Sequence, residues 1–262
     1  MVQQLILGSD KFMGTSTSSK GTNGQSPLVP SWANEDNQPI PNIDRNLKRF
    51  RGELGKAAGN KSSNHLKKAI GHYAKHATGG KTVGPKRYQK IIRAGGGLFD
   101  VFKNIQAGND YLGLKLSDLN GQPIDIVIDK IIETILEVDG DSERIRASLN
   151  QSLSECLDGV EDFDASQISD DLIIDLMLNY TSEYLFEEIM LDSRTSFDKA
   201  DTPEKFLELE NDLHALIESC VDKHMSEQLK ENKDTLTRID IETIQQTALK
   251  EIWTEWEDYL ND

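Results

Sequence analysis

Cysteine is scarce, with Cys156 and Cys220 the only two in 262 residues. Neither lies in a Cys-x-x-Cys pair, which excludes a zinc knuckle and a disulfide framework. Each falls among apolar neighbours at helical spacing and reads as a small core residue. Long apolar runs are absent as well, so no segment spans a bilayer. The patch Leu5-Ile6-Leu7 is too short for a signal-peptide core, and no basic residue precedes it. Apolar residues make up 37% of the chain, low enough that part of it is expected to stay unfolded. No sequence pattern pairs a serine or cysteine with a histidine and a carboxylate, so no catalytic apparatus is expected. Acidic pairs such as Asp139/Asp141 and Glu187/Glu188 read as solvated helix ends and faces.

Charge is abundant and unevenly placed. The net charge of -16 divides sharply along the chain. Residues 1–110 carry 17 Lys and Arg against 7 Asp and Glu, a net of +10; residues 111–262 carry 12 against 38, a net of -26. Solubility alone accounts for the acidic part. The divided charge points to two partners, or to one basic end that meets something anionic.

The expected class is all-α: a multi-helix bundle preceded by a flexible N-terminal tail. Residues 1–42 form the tail, 43–110 a basic, glycine-punctuated helical region, and 111–262 an acidic helical domain. The tail is rich in Ser, Gly and Pro, whose ordering entropy is not repaid without a partner. Pro27 and Pro30 favour an extended backbone around Leu28 and Val29. Trp32 is a candidate anchor, either in a partner's groove or on the chain's own body.

Apolar periodicity places the helices. Asp44 is read as the cap of a helix over 44–58. A second runs from Ser62 to Ala77 and stops at Gly79-Gly80. Gly84-Pro85 opens a third, with Tyr88, Ile91 and Ile92 inward, and Gly95-Gly96-Gly97 is expected to break it before a short helix over 98–107. In the acidic part, helices are expected over 124–136 and 142–157. Ser169 caps a long central helix with apolar residues on several faces. Thr202-Pro203-Glu204 opens the next, whose stripe is Phe206, Leu209, Leu213, Leu216, Cys220 and His224. The last covers 239–260, with Ile241, Ile244, Ala248, Ile252, Trp256 and Tyr259 in register.

Three patterns invite a chemical reading. Gly79-Gly80-Lys81-Thr82 imitates the end of a phosphate-binding loop, but Lys75 stands where the loop needs glycine and a helix precedes it instead of a strand. His65, His72 and His76 share a helix face, yet basic neighbours repel a cation, so no metal is expected. The cations between Arg45 and Lys103 suit phosphate contacts. Lys67, Lys68, Lys86 and Arg87 are the candidate nucleic-acid-binding residues, with docking onto an acidic protein surface as the equal competitor. Tyr73 and Tyr88 suit either base stacking or the core.

Met13-Gly14-Thr15-Ser16-Thr17-Ser18-Ser19-Lys20-Gly21, followed by Pro27-Leu28-Val29-Pro30-Ser31-Trp32, resembles the N-terminal signature of the QatB family of the Qat anti-phage defence system. Residues 60–97, the element Leu112–Gly121 and Asp139-Gly140-Asp141 continue the likeness. The chain departs from the pattern in carrying twelve residues, Met1 to Phe12, before the signature. They read as a native leader, an alternative start or an expression scar.

The resemblance implies a non-enzymatic component of a bacterial defence complex; with no bilayer-spanning run and no signal-peptide core, a cytoplasmic protein without membrane contact is expected. It also implies partners: an ATPase (QatA), a QueC-like enzyme (QatC) and a TatD-like nuclease (QatD). A QueC-like enzyme activates a carboxylated deazaguanine with ATP, and a protein amine is a natural acceptor. Met13 and Gly14 then become a cleavage and modification site, with a covalent 7-deazaguanine derivative on Gly14 and no intrinsic cofactor. Thr15, Ser16, Pro27, Leu28, Pro30 and Trp32 become the partner-binding tail. An α-amine suits the chemistry, because its pKa of about 8 leaves more neutral amine near neutral pH than a lysine at about 10.4. The alternative is an adaptor that brings phage DNA or RNA to the ATPase or nuclease.

Overall fold

The computed structural model describes residues 45–139, 143–231 and 233–261, and the side chains of 137–139 fall outside that description. The expectations placed on the tail, including the Met13–Gly14 site and Trp32, lie outside the described residues. Among the described residues the secondary structure is helical, with two isolated β-bridges and no strand. The helices are α1 (Lys48–Asn60), α2 (Ser63–His72), α3 (Gln89–Gln106), α4 (Ile124–Asp139), α5 (Glu143–Cys156), α6 (Asp170–Ser193), α7 (Pro203–Glu231) and α8 (Arg238–Asp258). The all-α class is as the periodicity implied. No helix among the described residues is long and apolar enough to cross a membrane.

Side-chain caps open α2, α6 and α8. Ser62 accepts a hydrogen bond from the His65 amide and opens α2, and Ser169 accepts from the Leu172 amide to open α6, with Asp170 and Asp171 in its first turn. Thr237 and Asp240 form a reciprocal capping box at the start of α8. The first helix departs from expectation. It begins at Lys48, not Asp44, and the Asn46 side chain accepts from the Lys48 amide at 3.2 Å. The second helix also changes character, for Tyr73–Ala77 widens into a π-turn closed by the Thr78 amide on the Tyr73 carbonyl at 3.1 Å.

The triple glycine does not break its helix. α3 runs through Gly95, Gly96 and Gly97 because α8 packs directly on that face. A Cβ at Gly95 would lie 2.7 Å from Gln245 Oε1, and one at Gly96 would lie 2.7 Å from Glu242 Oε1. Close approach, not helix termination, is what these glycines provide.

The described residues belong to one compact unit, in which basic and acidic helices pack on each other. α3 lies against α4, α6 and α8, while α6 also packs on α5 and α7. Both α3 and α6 bury residues on several faces, as the apolar pattern of α6 required. Trp253 and Trp256 of α8 are fully buried, their rings 4.9 Å apart. On α7 the observed stripe differs from the expected one. Phe206 is 37% exposed and Leu216 half-buried, whereas Ile217, Val221, Met225 and Leu229 join Leu209, Leu213 and Cys220 in the core. A straight helix of 29 residues drifts relative to any fixed stripe, so its buried face rotates along its length.

One ion pair crosses the α6–α7 contact. Glu183 is buried on α6 and hydrogen-bonds His214 of α7, whose ring stands edge-on to Phe186 at 4.9 Å. The hydrogen bond to Glu183 raises the His214 pKa, burial opposes it, and the charges of Glu183, Glu218 and Glu155 add to the rise. A raised histidine contributes stability that is complete below its unfolded pKa and is lost as pH rises through its folded value. Thermal melts from about pH 5.5 to about 9 are therefore expected to show a loss of stability on the alkaline side that His214→Leu lacks. That variant also strands a buried carboxylate and is expected to cost about 3 kcal/mol near the acidic end. Parallel pH profiles for the two proteins would contradict the assignment.

Candidate functional site

The last turns of α6 carry Tyr184, Glu188 and Asp192 four residues apart, on one helical face. Each side chain is tied. The Tyr184 hydroxyl donates to Glu188 Oε1 at 2.9 Å, and Arg144, in the first turn of α5, donates to the same oxygen. Asp192 accepts from the Tyr73 hydroxyl at 3.1 Å and from the Arg45 guanidinium. An acidic residue at a helix C-terminus is disfavoured by the helix dipole, and here the part-buried Arg45 guanidinium compensates it.

Arg45 fixes where the chain joins the bundle. Its Nε donates to the Ala77 carbonyl at 3.2 Å, and the neighbouring Asn46 amide donates to the His76 carbonyl at 3.1 Å. Burial opposes the charge on Arg45, but its hydrogen bond and ion pair with Asp192 outweigh that and hold its pKa above the ordinary value. Arg51 adds a hydrogen bond from Nε to the Asp192 carbonyl at 2.8 Å.

These residues border a pocket of about 310 Å³ lined by Arg45, Tyr73, Thr78, Arg87, Tyr88, Lys90, Arg144, Tyr184 and Glu188. Its walls come from the π-turn, the start of α3, the first turn of α5 and the end of α6. Among the described residues, four cations line it against one carboxylate, with Asp192 just behind. Burial, reinforced by neighbouring carboxylates, raises the pKa of Tyr73, Tyr88 and Tyr184, so all three remain neutral phenols. Behind them lies Trp253, whose indole donates to Thr78 Oγ1 at 2.8 Å and packs on Tyr88 at 4.9 Å.

The structure separates the four candidate nucleic-acid residues. Arg87 lines this pocket, while Lys67 lies over the Tyr259 ring at 5.5 Å, near the end of α8. Lys68 and Lys86 are half-buried and line none of it. Tyr73 and Tyr88 belong to the core and are not free to stack on bases. The Gly79-Gly80-Lys81-Thr82 loop has its glycines at positive φ, but its Lys81 amide donates to a carboxylate, Glu257, at 2.5 Å. That arrangement opposes a phosphate.

The histidines are likewise accounted for. His65 Nδ1 meets Glu53 at 2.7 Å; His72 and His76 stack at 5.4 Å, and burial and adjacent cations lower their pKa values. No group of three or more metal-ligating side chains occurs among the described residues. Cys220 is buried beside Trp256 Nε1 at 3.4 Å, and burial raises its thiol pKa. Burial pushes the Cys156 thiol up to about 11. Both are thiols, not thiolates, near neutral pH.

Sequence reading missed Arg144, Tyr184 and the roles of Glu188 and Asp192. Glu187 and Glu188 are half-buried, not solvated as expected, and Glu188 bears the ion pair and phenol contact. The available signal was the four-residue spacing of Tyr184, Glu188 and Asp192 within a helix otherwise apolar on several faces.

A family model described as Qat anti-phage system associated protein QatB matches residues 79–256, more than half of the chain. The matched segment contains Arg87, Tyr88, Lys90, Arg144, Tyr184 and Glu188, but not Arg45 or the tail signature. No curated protein and no solved structure matches.

Proposed function

Because the chain belongs to the QatB family of Qat anti-phage system proteins, we propose that it is a non-enzymatic scaffold and protein substrate within that system. Its N-terminal tail is processed between Met13 and Gly14 and modified by the QueC-like partner QatC, and the helical body binds the ATPase QatA. In the modification step the Gly14 α-amine attacks the ATP-activated carboxyl carbon of a deazaguanine acid. An amide bond forms, the activating group leaves, and the amine loses one proton. Glycine offers no side chain to hinder the attack.

The observation that carries this reading is the fixed junction at Arg45. Three interactions, to Asp192, to the Ala77 carbonyl and from the Asn46 amide to the His76 carbonyl, hold the start of the described body. The tail signature precedes that junction in the sequence. The titratable clusters described above are engaged in ion pairs and hydrogen bonds within the body, which also favours a binding role. The adaptor reading has less geometric support, because Arg87 shares its pocket with Glu188 and Lys67 is committed to Tyr259.

Top-down mass spectrometry of the chain co-expressed with the QueC-like partner is expected to find a protein beginning at Gly14 and carrying the acyl group. Gly14→Trp is expected to abolish modification and defence while leaving the helical circular dichroism unchanged. An unmodified chain beginning at Met1, in cells whose defence is active, would refute the proposal.

A further inference from the structure

Gln245 of α8 is buried against α3 with its amide unpaired. The residue is 1% exposed, yet neither Oε1 nor Nε2 has a hydrogen-bond partner among the described residues. Burying an amide with both its donor and its acceptor unmatched is costly. The amide faces the glycine run of α3. A Cβ at Gly95 would lie 2.4 Å from Gln245 Nε2 and 2.7 Å from Oε1.

Helix α3 is weakest at the same point. Gly95, Gly96 and Gly97 follow one another inside it, and only proline is a poorer helix former than glycine. A break there frees carbonyls at the end of the first piece and amides at the start of the second. Groups on α8 already stand opposite them. Arg238 Nη2 donates to the Arg93 carbonyl at 3.4 Å, the oxygen that a continuous helix pairs with the Gly97 amide. Gln245 brings both an acceptor and a donor to Gly95. Asp100, now in the interior of α3, would fall in the first turn of the second piece, where the helix dipole favours a carboxylate.

We propose that α3 is a hinged helix: it opens at Gly95–Gly97 while the rest of the bundle stays folded, and Gln245 and Arg238 of α8 hydrogen-bond the backbone groups that the opening frees. In the continuous state, packing of α3 on α8 holds the helix together and leaves the Gln245 amide unpaired. In the opened state the amide is paired and part of that packing is lost. The piece before the hinge, Gln89–Ala94, reaches the pocket beside the Arg45 junction through Lys90. The hinge is independent of the Gly14 chemistry, so failure of either proposal leaves the other standing.

Amide hydrogen exchange of the full chain in low urea tests this. Amides of Leu98–Val101 are expected to exchange at least about tenfold faster than those of Leu213–Val221 in α7, with little urea dependence, because a hinge exposes little surface. Two variants should close the hinge by different routes. Gln245→Met removes the unpaired amide from the continuous state and the capping group from the opened one, and is expected to slow exchange at Leu98–Val101 at least about tenfold. Gly97→Ala fits the continuous helix, since a Cβ there would meet Ile135 Cγ2 at 3.6 Å, an ordinary contact. It is expected to slow the same amides about fivefold through helix propensity. In both variants the α3 amides should slow more than those of α7. If Leu98–Val101 in the parent exchange only with the urea dependence of global unfolding, the proposal is overturned. Equal slowing of α3 and α7 in both variants would also overturn it. So would a Gln245→Met protein less stable than the parent, which would mean that the amide is paired in the continuous state.

Discussion

Asp192→Ala is expected to lower the free energy of unfolding by about 3 kcal/mol, read as a fall in the urea midpoint at unchanged slope. The carboxylate is largely buried and carries two partners, Arg45 and the Tyr73 hydroxyl. Removing it strands a part-buried guanidinium and a fully buried phenol, and the cost of unpaired buried groups exceeds the value of the bonds themselves. The junction should loosen with the loss of stability, so amide exchange at Asn46 and in the first turn of α1 is expected to accelerate more than exchange in α7. Asp192→Asn keeps an acceptor for Tyr73 and is expected to lose less. Equal stability of the alanine variant and the parent would show that Arg45 contributes nothing across this contact.

Gly84→Val is expected to cost about 3 kcal/mol, and the reason is the immobility of its neighbour. A Cβ at Gly84 would lie 2.6 Å from Trp253 Cδ1 and 2.8 Å from Thr78 Oγ1. Trp253 has no room to withdraw. It is fully buried, donates to Thr78, and stands between Tyr88 and Trp256 at 4.9 Å from each ring. Insertion therefore breaks the Trp253–Thr78 hydrogen bond as well as the aromatic packing. Gly52→Ala provides a control of opposite sign. Nothing lies within 4 Å of a Cβ at Gly52, which sits inside α1, and alanine there is expected to add about 0.5–1 kcal/mol through helix propensity. Tryptophan fluorescence during denaturation would follow both variants. A Gly84→Val protein as stable as the parent would mean that the Trp253 cluster yields more readily than its burial implies.

The tail signature and the body pocket were legible to different degrees. The most specific part of the family resemblance, Met13–Gly21 and Pro27–Trp32, lies outside the family match over residues 79–256, while its continuation over 60–97, 112–121 and 139–141 falls largely within it. In the body, basic residues stood out along the sequence, but their partners did not. Arg45 and Asp192 are 147 residues apart, and no local pattern announces such a pair. Glu188 looked like an ordinary surface carboxylate because sequence periodicity reports which face of a helix is apolar, not which neighbouring helix will cover a polar residue beside it.

What the sequence determined by itself is local in origin. The all-α class, the caps at Ser62 and Ser169, the proline start of α7 and the division of charge all arise from residues within a few positions of one another, where propensity, capping and helical period act. Tertiary structure decided the rest. Gly95–Gly97 alone reads as a break; against α8 it is a contact face, since the absence of Cβ atoms lets two helices approach and their packing outweighs the glycines' poor propensity. The pocket exists only where α6, the π-turn and the starts of α3 and α5 meet. Its charges are set by ion pairs between distant segments, and such pairs form only after packing has removed the competing water.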